Sequence, residues 1–120
     1  MTFLCVDDSA TLRKIVSMTL SGMGHTVVEA ENGKKALETL AGTKPDGIVL
    51  DINMPEMGGI EFLEERAKNP AWKSIPVIVL TTQDEAPLRE KAMGLGAKGF
   101  LAKPFDKDQL VAAIKSFIGG

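Results

Sequence analysis

The sequence predicts an α/β fold in which a parallel sheet carries helices on both faces. Five short apolar runs recur along the 120 residues, and their starts are separated by 21 to 29 residues. Such gaps are too long for hairpin loops, but each has room for one helix and two loops. Apolar residues between the runs recur at helical spacing, and strands that alternate with helices form parallel sheets.

The apolar runs themselves are the predicted strands. Several consecutive positions are apolar in the first, third and fourth runs, a pattern typical of strands buried on both faces. We therefore expect these three in the middle of the sheet. The five predicted strands are residues 3–6, 26–28, 47–50, 76–80 and 100–102.

Five helices are predicted to follow the strands. Three have clear helical periodicity, and two weaker ones cover residues 60–68 and 87–95, where Pro87 suits the first turn of a helix. Glycines after several of these segments are typical of helix ends. The periodic residues are Leu12, Ile15, Val16 and Leu20; Ala36, Leu37, Leu40 and Ala41; and Leu110, Ile114, Phe117 and Ile118.

Composition excludes several functional classes. The 14 basic and 16 acidic residues give a net charge of −2, which argues against nonspecific nucleic-acid binding. No apolar run approaches the roughly 20 residues of a membrane span, and no signal peptide is visible, so we expect no membrane insertion. The single cysteine, Cys5, has apolar neighbours, so we expect it to pack in the core. A chain with one cysteine is consistent with the reducing cytoplasm, where we expect the protein to be located.

The length is that of one domain, and no linker or low-complexity tract interrupts it. We therefore expect residues 1–120 to form a single domain without an output domain. The lone histidine, His25, is expected in a turn, and no zinc-binding spacing of cysteines and histidines exists.

Polar residues follow four of the five predicted strands. Each has a structural explanation of its own, such as helix capping by Asp8 and Ser9. Parallel strands, however, bring their carboxyl ends to one edge of the sheet, where ligands of this fold class bind. The residues predicted to meet there are Asp7, Asp8, Asp51, Thr81, Thr82 and Lys103.

Three clustered aspartates predict a cation. Neighbouring carboxylates raise one another's pKa unless a cation intervenes, and hard oxygen ligands suit Mg²⁺ or Mn²⁺. With Mg²⁺ and Lys103 the cluster has no net charge, which suits it to receive a phosphoryl group. Aspartate is an established nucleophile for that chemistry, and the Thr81 hydroxyl could respond to the new oxygens.

Four segments around these residues resemble the receiver domains of bacterial response regulators. They are residues 6–9, 50–59, 79–82 and 96–105, and the resemblance extends over essentially all of residues 1–120. The chain length, the stretch after Asp8 and the position of Asn53 are most similar to the stand-alone, CheY-like chemotaxis regulators. The resemblance implies a flavodoxin-like, doubly wound five-stranded sheet of order 2-1-3-4-5 with five helices.

The resemblance also implies the chemistry of the site. Asp51 would accept a phosphoryl group from a histidine kinase. Asp8 would bind Mg²⁺ directly and Asp7 through water, and Asp51 with the backbone carbonyl of Asn53 would complete the metal site. The protein would be a signalling phosphoacceptor that catalyses only its own phosphorylation and dephosphorylation.

A switch is implied by the same resemblance. Thr81 and Lys103 would hold the phosphoryl oxygens, and Phe100 aligns with a switch aromatic that is typically tyrosine in motor-binding members. The bond between Lys103 and Pro104 is expected to be cis. A target protein would bind a face formed by the fourth predicted helix, the fifth strand and the fifth helix of a monomer.

The same residues disfavour two other functions. An aspartate-nucleophile phosphohydrolase usually has a second aspartate two residues after the nucleophile, where this chain has Asn53, which donates no titrating proton. A flavodoxin-like cofactor carrier is disfavoured because the acidic loop of residues 7–11 lacks glycine and would repel a flavin phosphate. Within the family, a motor-binding protein, a phosphate sink and a phosphorelay intermediate all stay open.

Overall fold

The computed structural model describes residues 1–52, 58–82 and 86–118, with side chains through residue 116. Strands and helices alternate along these residues with one short additional helix. The elements are β1 Thr2–Val6, α1 Ala10–Gly22, β2 Thr26–Ala30, α2 Gly33–Gly42, β3 Gly47–Asp51, α3 Gly59–Ala67, α4 Pro70–Lys73, β4 Val77–Thr81, α5 Ala86–Gly94, β5 Gly99–Ala102 and α6 Lys107–Ile118.

The five strands form one parallel sheet of order β2-β1-β3-β4-β5, so the predicted flavodoxin-like order is confirmed. The three middle strands are buried almost throughout, as their apolar sequences predict. Because every strand has the same direction, all five carboxyl ends lie along one edge. In that register Asp51 lies beside Leu80, and Thr81 lies beside Ala102.

Side chains that alternate along the strands divide the core into two layers. Phe3 and Cys5 of β1 point into one layer, which α1 and α6 cover. Leu4 and Val6 point into the other, which α2, α3 and α5 cover. Alternation places successive strand residues on opposite faces, so helices on both sides bury the central strands completely. The predicted doubly wound arrangement is confirmed.

Cys5 is fully buried, and burial raises the pKa of its thiol far above the ordinary value. A thiol in this environment stays protonated and packs as an apolar side chain. His25 lies in the turn between α1 and β2, where its ring meets the Phe3 ring edge-on with centroids 5.1 Å apart. Among the described residues, no helix is long and apolar enough to span a bilayer.

The structure adds one helix to the five predicted. Helix α4 has only four residues, and the side chain of Asn69 caps it by accepting the backbone N–H of Ala71 at 2.9 Å. Pro70 occupies its first position, where a missing N–H costs nothing. One helical turn is too short to produce apolar periodicity, and the sequence therefore predicted no element here.

The start of α3 packs directly on the end of β3. The backbone N–H of Gly59 donates to the carbonyl of Ile52 at 3.0 Å. A Cβ atom on Gly59 would lie 2.7 Å from Ile52 Cα and 2.9 Å from the carbonyl oxygen of Asp51. Both neighbours are backbone atoms, so the close approach requires glycine and fixes the position of α3 relative to Asp51.

We expect Gly59→Ala to lower the free energy of unfolding by about 1–3 kcal/mol, because the added methyl group overpacks rigid backbone. Gly42→Ala is the matched control: it ends α2, has no positive φ and meets nothing within 4 Å. The control should be neutral or slightly stabilising, by up to about 1 kcal/mol. Urea denaturation of the three proteins measures both effects, and equal stabilities for the two variants would contradict the packing argument.

Candidate functional site

The carboxyl edge of the sheet brings the predicted site residues together. Asp7 and Asp8 follow β1, Asp51 ends β3, Thr81 ends β4, and Lys103 follows β5. Oxygen atoms from the three aspartates all lie within 4.8 Å of one another. Asp7 and Asp51 are buried and Asp8 is exposed, so the acidic cluster has two buried members and one on its open side.

Lys103 joins this cluster through its side chain. Its Nζ lies 2.8 Å from Oδ1 of Asp51, with 4% of the Asp51 side chain exposed and 23% of the lysine side chain. The backbone N–H of Lys103 donates to the carbonyl of Thr81 at 2.8 Å, which continues the pairing of β4 and β5 beyond the strand ends. The bond from Lys103 to Pro104 is cis, as predicted.

Asp7 is fully buried, and its two carboxylate oxygens differ in their surroundings. Oδ1 accepts the backbone N–H of Ser9 at 2.9 Å, whereas Oδ2 has no hydrogen-bond partner within the described part of the chain. Burial, with smaller contributions from Asp51 and Asp8, raises the pKa of Asp7 to about 6. A buried carboxylate with an unpartnered oxygen is costly unless a cation or proton compensates it.

The donor set suits a hard divalent cation. Each of the three carboxylates offers one oxygen within 4.8 Å of the others, and Asp7 has a buried Oδ2 with no hydrogen-bond partner among the described residues. Such oxygens match the coordination preferences of Mg²⁺ and Mn²⁺. The fourth predicted ligand, Asn53, lies outside the residues that the structure describes.

The two predicted switch residues lie on neighbouring strands. Thr81 is buried, and its hydroxyl donates to the carbonyl of Thr82 at 3.1 Å. Phe100 pairs with Val79, two residues before Thr81, and is partly buried against the layer of α2, α3 and α5. The guanidinium carbon of Arg89 in α5 lies 4.8 Å from the centre of the Phe100 ring, a cation–π contact.

Sequence reasoning did not single out Arg13. Its Nη1 donates to the carbonyl oxygen of Asp7 at 2.7 Å, and its Nε lies 3.0 Å from Oε1 of Glu29 on β2. The guanidinium thus holds the backbone beside the acidic cluster. The sequence did contain an indication of this position. Arg13 comes four residues after Ser9, the cap of α1. Side chains four residues apart lie on the same face of a helix, so Arg13 lies on the face of α1 that carries its cap.

Comparison with known proteins identifies the family. A model of the response regulator receiver domain matches residues 3–115. The phosphate regulon transcriptional regulatory protein PhoB of Pseudomonas aeruginosa is 33% identical over 98% of this chain and 51% of its own length. Protein PilG of the same species is 36% identical over 96% of this chain and 85% of its own length. The chain therefore spans about half the length of PhoB and of other similar relatives, and most of PilG.

Solved structures agree with this match. The chemotaxis response regulator CheY4 of Vibrio cholerae superposes with a TM-score of 0.91 at 33% identity, covering 98% of both chains. A response regulator structure from Chloroflexus aurantiacus also gives 0.91, at 29% identity over 99% of this chain and 98% of the other. The family match extends over nearly the whole sequence, and the chain belongs to the response regulator receiver domain family of two-component signalling.

Proposed function

We propose that the protein is a phosphoryl-accepting switch in which Asp51 receives phosphate from a histidine kinase. The observation that carries this proposal is the contact of 2.8 Å between Lys103 Nζ and Asp51 Oδ1 at the edge of the acidic cluster. It supports Asp51 as the acceptor because the lysine neutralises charge at the carboxylate that would be modified. Receiver domains as a class are signalling phosphoacceptors, and the family match supports the same role here.

The transfer step needs no side chain to take up a proton at Asp51. An ionised oxygen of Asp51 attacks phosphorus, and the P–N bond to the donor imidazole breaks as the P–O bond forms. The electron pair of the P–N bond stays on the imidazole nitrogen, and a proton on the other ring nitrogen lets the imidazole leave as a neutral group. The carboxylate then becomes an acyl phosphate with about one more negative charge than before. Lys103 is placed to balance part of this charge, and the Thr81 hydroxyl is proposed to turn from the Thr82 carbonyl toward the new oxygens.

Asp7, Asp8 and Asp51 are the proposed ligands of Mg²⁺, with Mn²⁺ as a substitute. Bound Mg²⁺ supplies positive charge that neutralises phosphoryl oxygens during the transfer. The Asp7 carboxylate holds its position through the Ser9 N–H and through Arg13, which binds the Asp7 carbonyl. Asn53 stays a proposed ligand through its backbone carbonyl.

We propose that the response is a change in binding to a target protein, in chemotaxis-type signalling. Similarity to CheY4 favours chemotaxis, since CheY4 is a chemotaxis response regulator that this chain matches over 98% of both lengths. The proposed target surface is formed by α5, β5 and α6, where Arg89 covers the ring of Phe100. We also propose that residues 1–120 act as a single, monomeric domain.

A second candidate is the receiver segment of a longer regulator. The matches to PhoB, a transcriptional regulatory protein, cover 51% of that protein, which favours this reading. A phosphate sink or a phosphorelay intermediate would share the same chemistry at Asp51. These roles can be separated by incubating the phosphorylated protein with its kinase and with a second histidine phosphotransfer protein. Only a relay intermediate passes the phosphoryl group to the second protein. Only a phosphate sink returns it to the kinase without binding a target.

We expect Asp51→Asn to fold like the wild type and to lose phosphorylation by phosphohistidine or acetyl phosphate. Asparagine keeps the shape of the side chain but is not a nucleophile. Intact-protein mass spectrometry after incubation with Mg²⁺ measures the loss. Asp108→Asn on exposed α6 is the control and should be phosphorylated normally. Full Mg²⁺-dependent labelling of the Asp51 variant would refute the assignment.

We expect Asp7→Asn to stabilise the metal-free protein above pH 6, by about 1–3 kcal/mol. The folded-state pKa of Asp7, about 6, lies above the value of 3.8 for the unfolded chain, so the native carboxyl favours its proton. Wild-type stability is therefore lost as pH rises from about 4 through about 6. The advantage of the variant should grow across that window and vanish near pH 4.

Urea denaturation in EDTA from pH 4 to pH 8 measures this advantage. Glu64→Gln on exposed α3 is the control and should show no such pH dependence. Saturating Mg²⁺ should stabilise the wild type more than the Asp7 variant, because a ligand stabilises the state that binds it. A stability gain of Asp7→Asn that is independent of pH would contradict the argument.

We expect Phe100→Ala to separate phosphorylation from the structural response. Burial of a phenylalanine ring is worth about 1.5–3 kcal/mol, enough to bias a two-state switch tenfold or more. Amide hydrogen exchange of residues 86–102, with and without phosphorylation by acetyl phosphate, measures the response.

The difference in exchange should disappear in Phe100→Ala, while labelling of Asp51 stays near the wild-type level. Leu101→Ala, which faces the opposite layer, is the control and should keep the difference. If Phe100→Ala kept it too, the switch would lie elsewhere in the domain.

A further inference from the structure

The edge strand β2 holds the backbone of Asp7 at two points, although the three aspartates of the acidic cluster all lie on other segments. The N–H of Asp7 donates directly to the carbonyl of Ala30 at 3.1 Å. The carbonyl of Asp7 accepts a hydrogen bond from Nη1 of Arg13 at 2.7 Å, and Nε of Arg13 lies 3.0 Å from Oε1 of Glu29. Glu29 and Ala30 are neighbours on β2, so this strand fixes the N–H directly and the carbonyl through Arg13.

The carbonyl that Arg13 binds belongs to the peptide group that joins Asp7 to Asp8. Its orientation is set by two backbone torsions, ψ of Asp7 and φ of Asp8, because the peptide group itself is planar. The Asp7 carboxylate has a further contact, since its Oδ1 accepts the N–H of Ser9 at 2.9 Å. Asp8 is exposed, so the direction of its side chain depends on the peptide that Arg13 holds.

A guanidinium group is suited to this double contact. It is planar and presents its N–H donors in a fixed arrangement, so Nε and Nη1 can bind two acceptors at once. The ammonium group of a lysine is instead a point charge on a flexible stem. The side chain of Arg13 is 19% exposed and that of Glu29 is 45% exposed. A pair that is partly withdrawn from water is screened less by salt than a pair on the open surface.

We propose that Arg13 is a positioning residue for the divalent cation, and that Glu29 acts on cation binding through Arg13. The proposal rests on the proposed role of Asp7 and Asp8 as ligands and adds two residues that contact the backbone behind them. Ligands that are already in place lose less freedom when they bind, so a fixed peptide favours binding. Removal of a group that orients metal ligands typically costs about 10–100-fold in metal affinity.

The charge of Arg13 predicts the opposite effect. A positive guanidinium beside the acidic cluster repels a second cation, so removal of this charge would by itself strengthen cation binding. Loss of the fixed peptide would weaken it. The direction of the change in affinity therefore distinguishes positioning from electrostatics, and Arg13→Lys isolates positioning because the charge is kept.

The test measures Mn²⁺ affinity by electron paramagnetic resonance of the free ion, with Mg²⁺ as competitor. We expect Arg13→Lys to weaken the binding of both ions about tenfold. Arg13→Gln should also weaken it, although the lost positive charge offsets part of the effect. Lys14→Gln is the matched control, because Lys14 is the next residue of α1, is exposed and carries the same charge. Its affinity should equal that of the wild type or be slightly higher.

The role of Glu29 is tested against Glu31. Both glutamates are exposed and line one cleft between α1, β2 and α2, so their replacement by alanine removes the same charge from the same surface. Glu29 is the one paired with Arg13. Glu29→Ala should weaken Mn²⁺ binding about threefold more than Glu31→Ala, and this difference should disappear in an Arg13→Gln background.

Urea denaturation in EDTA measures how far each variant is destabilised. A purely structural role would lower the free energy of unfolding of Arg13→Lys without changing its Mn²⁺ affinity. That result, or tighter binding in Arg13→Gln, would overturn the proposal and leave the aspartates as ligands. If the Arg13 variants do not fold, equal affinities of Glu29→Ala and Glu31→Ala would overturn it. A wild type that binds no Mn²⁺, or binds it equally well after Asp8→Ala, would overturn the proposed metal site and this inference together.

Discussion

The contact between Lys103 and Asp51 is the interaction on which the arrangement of the site depends. It joins the end of β3 to the segment after β5, across the intervening strand β4. The parallel sheet in this order brings a lysine and an aspartate 52 residues apart to the same edge, where their side chains lie 2.8 Å apart. Without the lysine, the buried Asp51 carboxylate would lose this ion pair while it stays close to the buried Asp7 carboxylate, a costly arrangement.

Asp7, by contrast, forms no ion pair with any residue that the structure describes. Asp7 is buried with one oxygen unpartnered, and its pKa is raised to about 6 by burial and by its acidic neighbours. Arg13 and Ser9 hold this residue by its backbone carbonyl and by one carboxylate oxygen, so that it keeps its place despite the cost. The domain therefore loses stability at residues that we propose as cation ligands, and functional sites often carry such a cost.

Most of the fold could be predicted from the sequence because its signals are local. Apolar runs and helical periodicity locate the five strands and the five longer helices, and the direction of the strands then places Asp7, Asp51 and Lys103 on one edge. The order of the strands came from family resemblance, because periodicity carries no information about which strands are neighbours.

What could not be predicted depends on contacts between distant segments. Arg13 acquires its role only once β2 brings Glu29 beside it. The burial of Asp7 and the cleft lined by Leu12, Thr82 and Phe105 likewise arise from packing of segments far apart in sequence. Helix α4 was missed for a different reason, since a single turn leaves no periodic pattern.

The sheet separates the apolar interior into two compartments that share a backbone but few side-chain contacts. Val16 and Leu20 belong to one compartment, and Leu40 and Phe62 to the other. Because substitutions without shared partners contribute additively to the free energy of unfolding, changes in one compartment leave the energetics of the other largely intact. A domain built in this way can vary the helices of one face over evolutionary time while the opposite face, and the edge where both meet, keep their geometry.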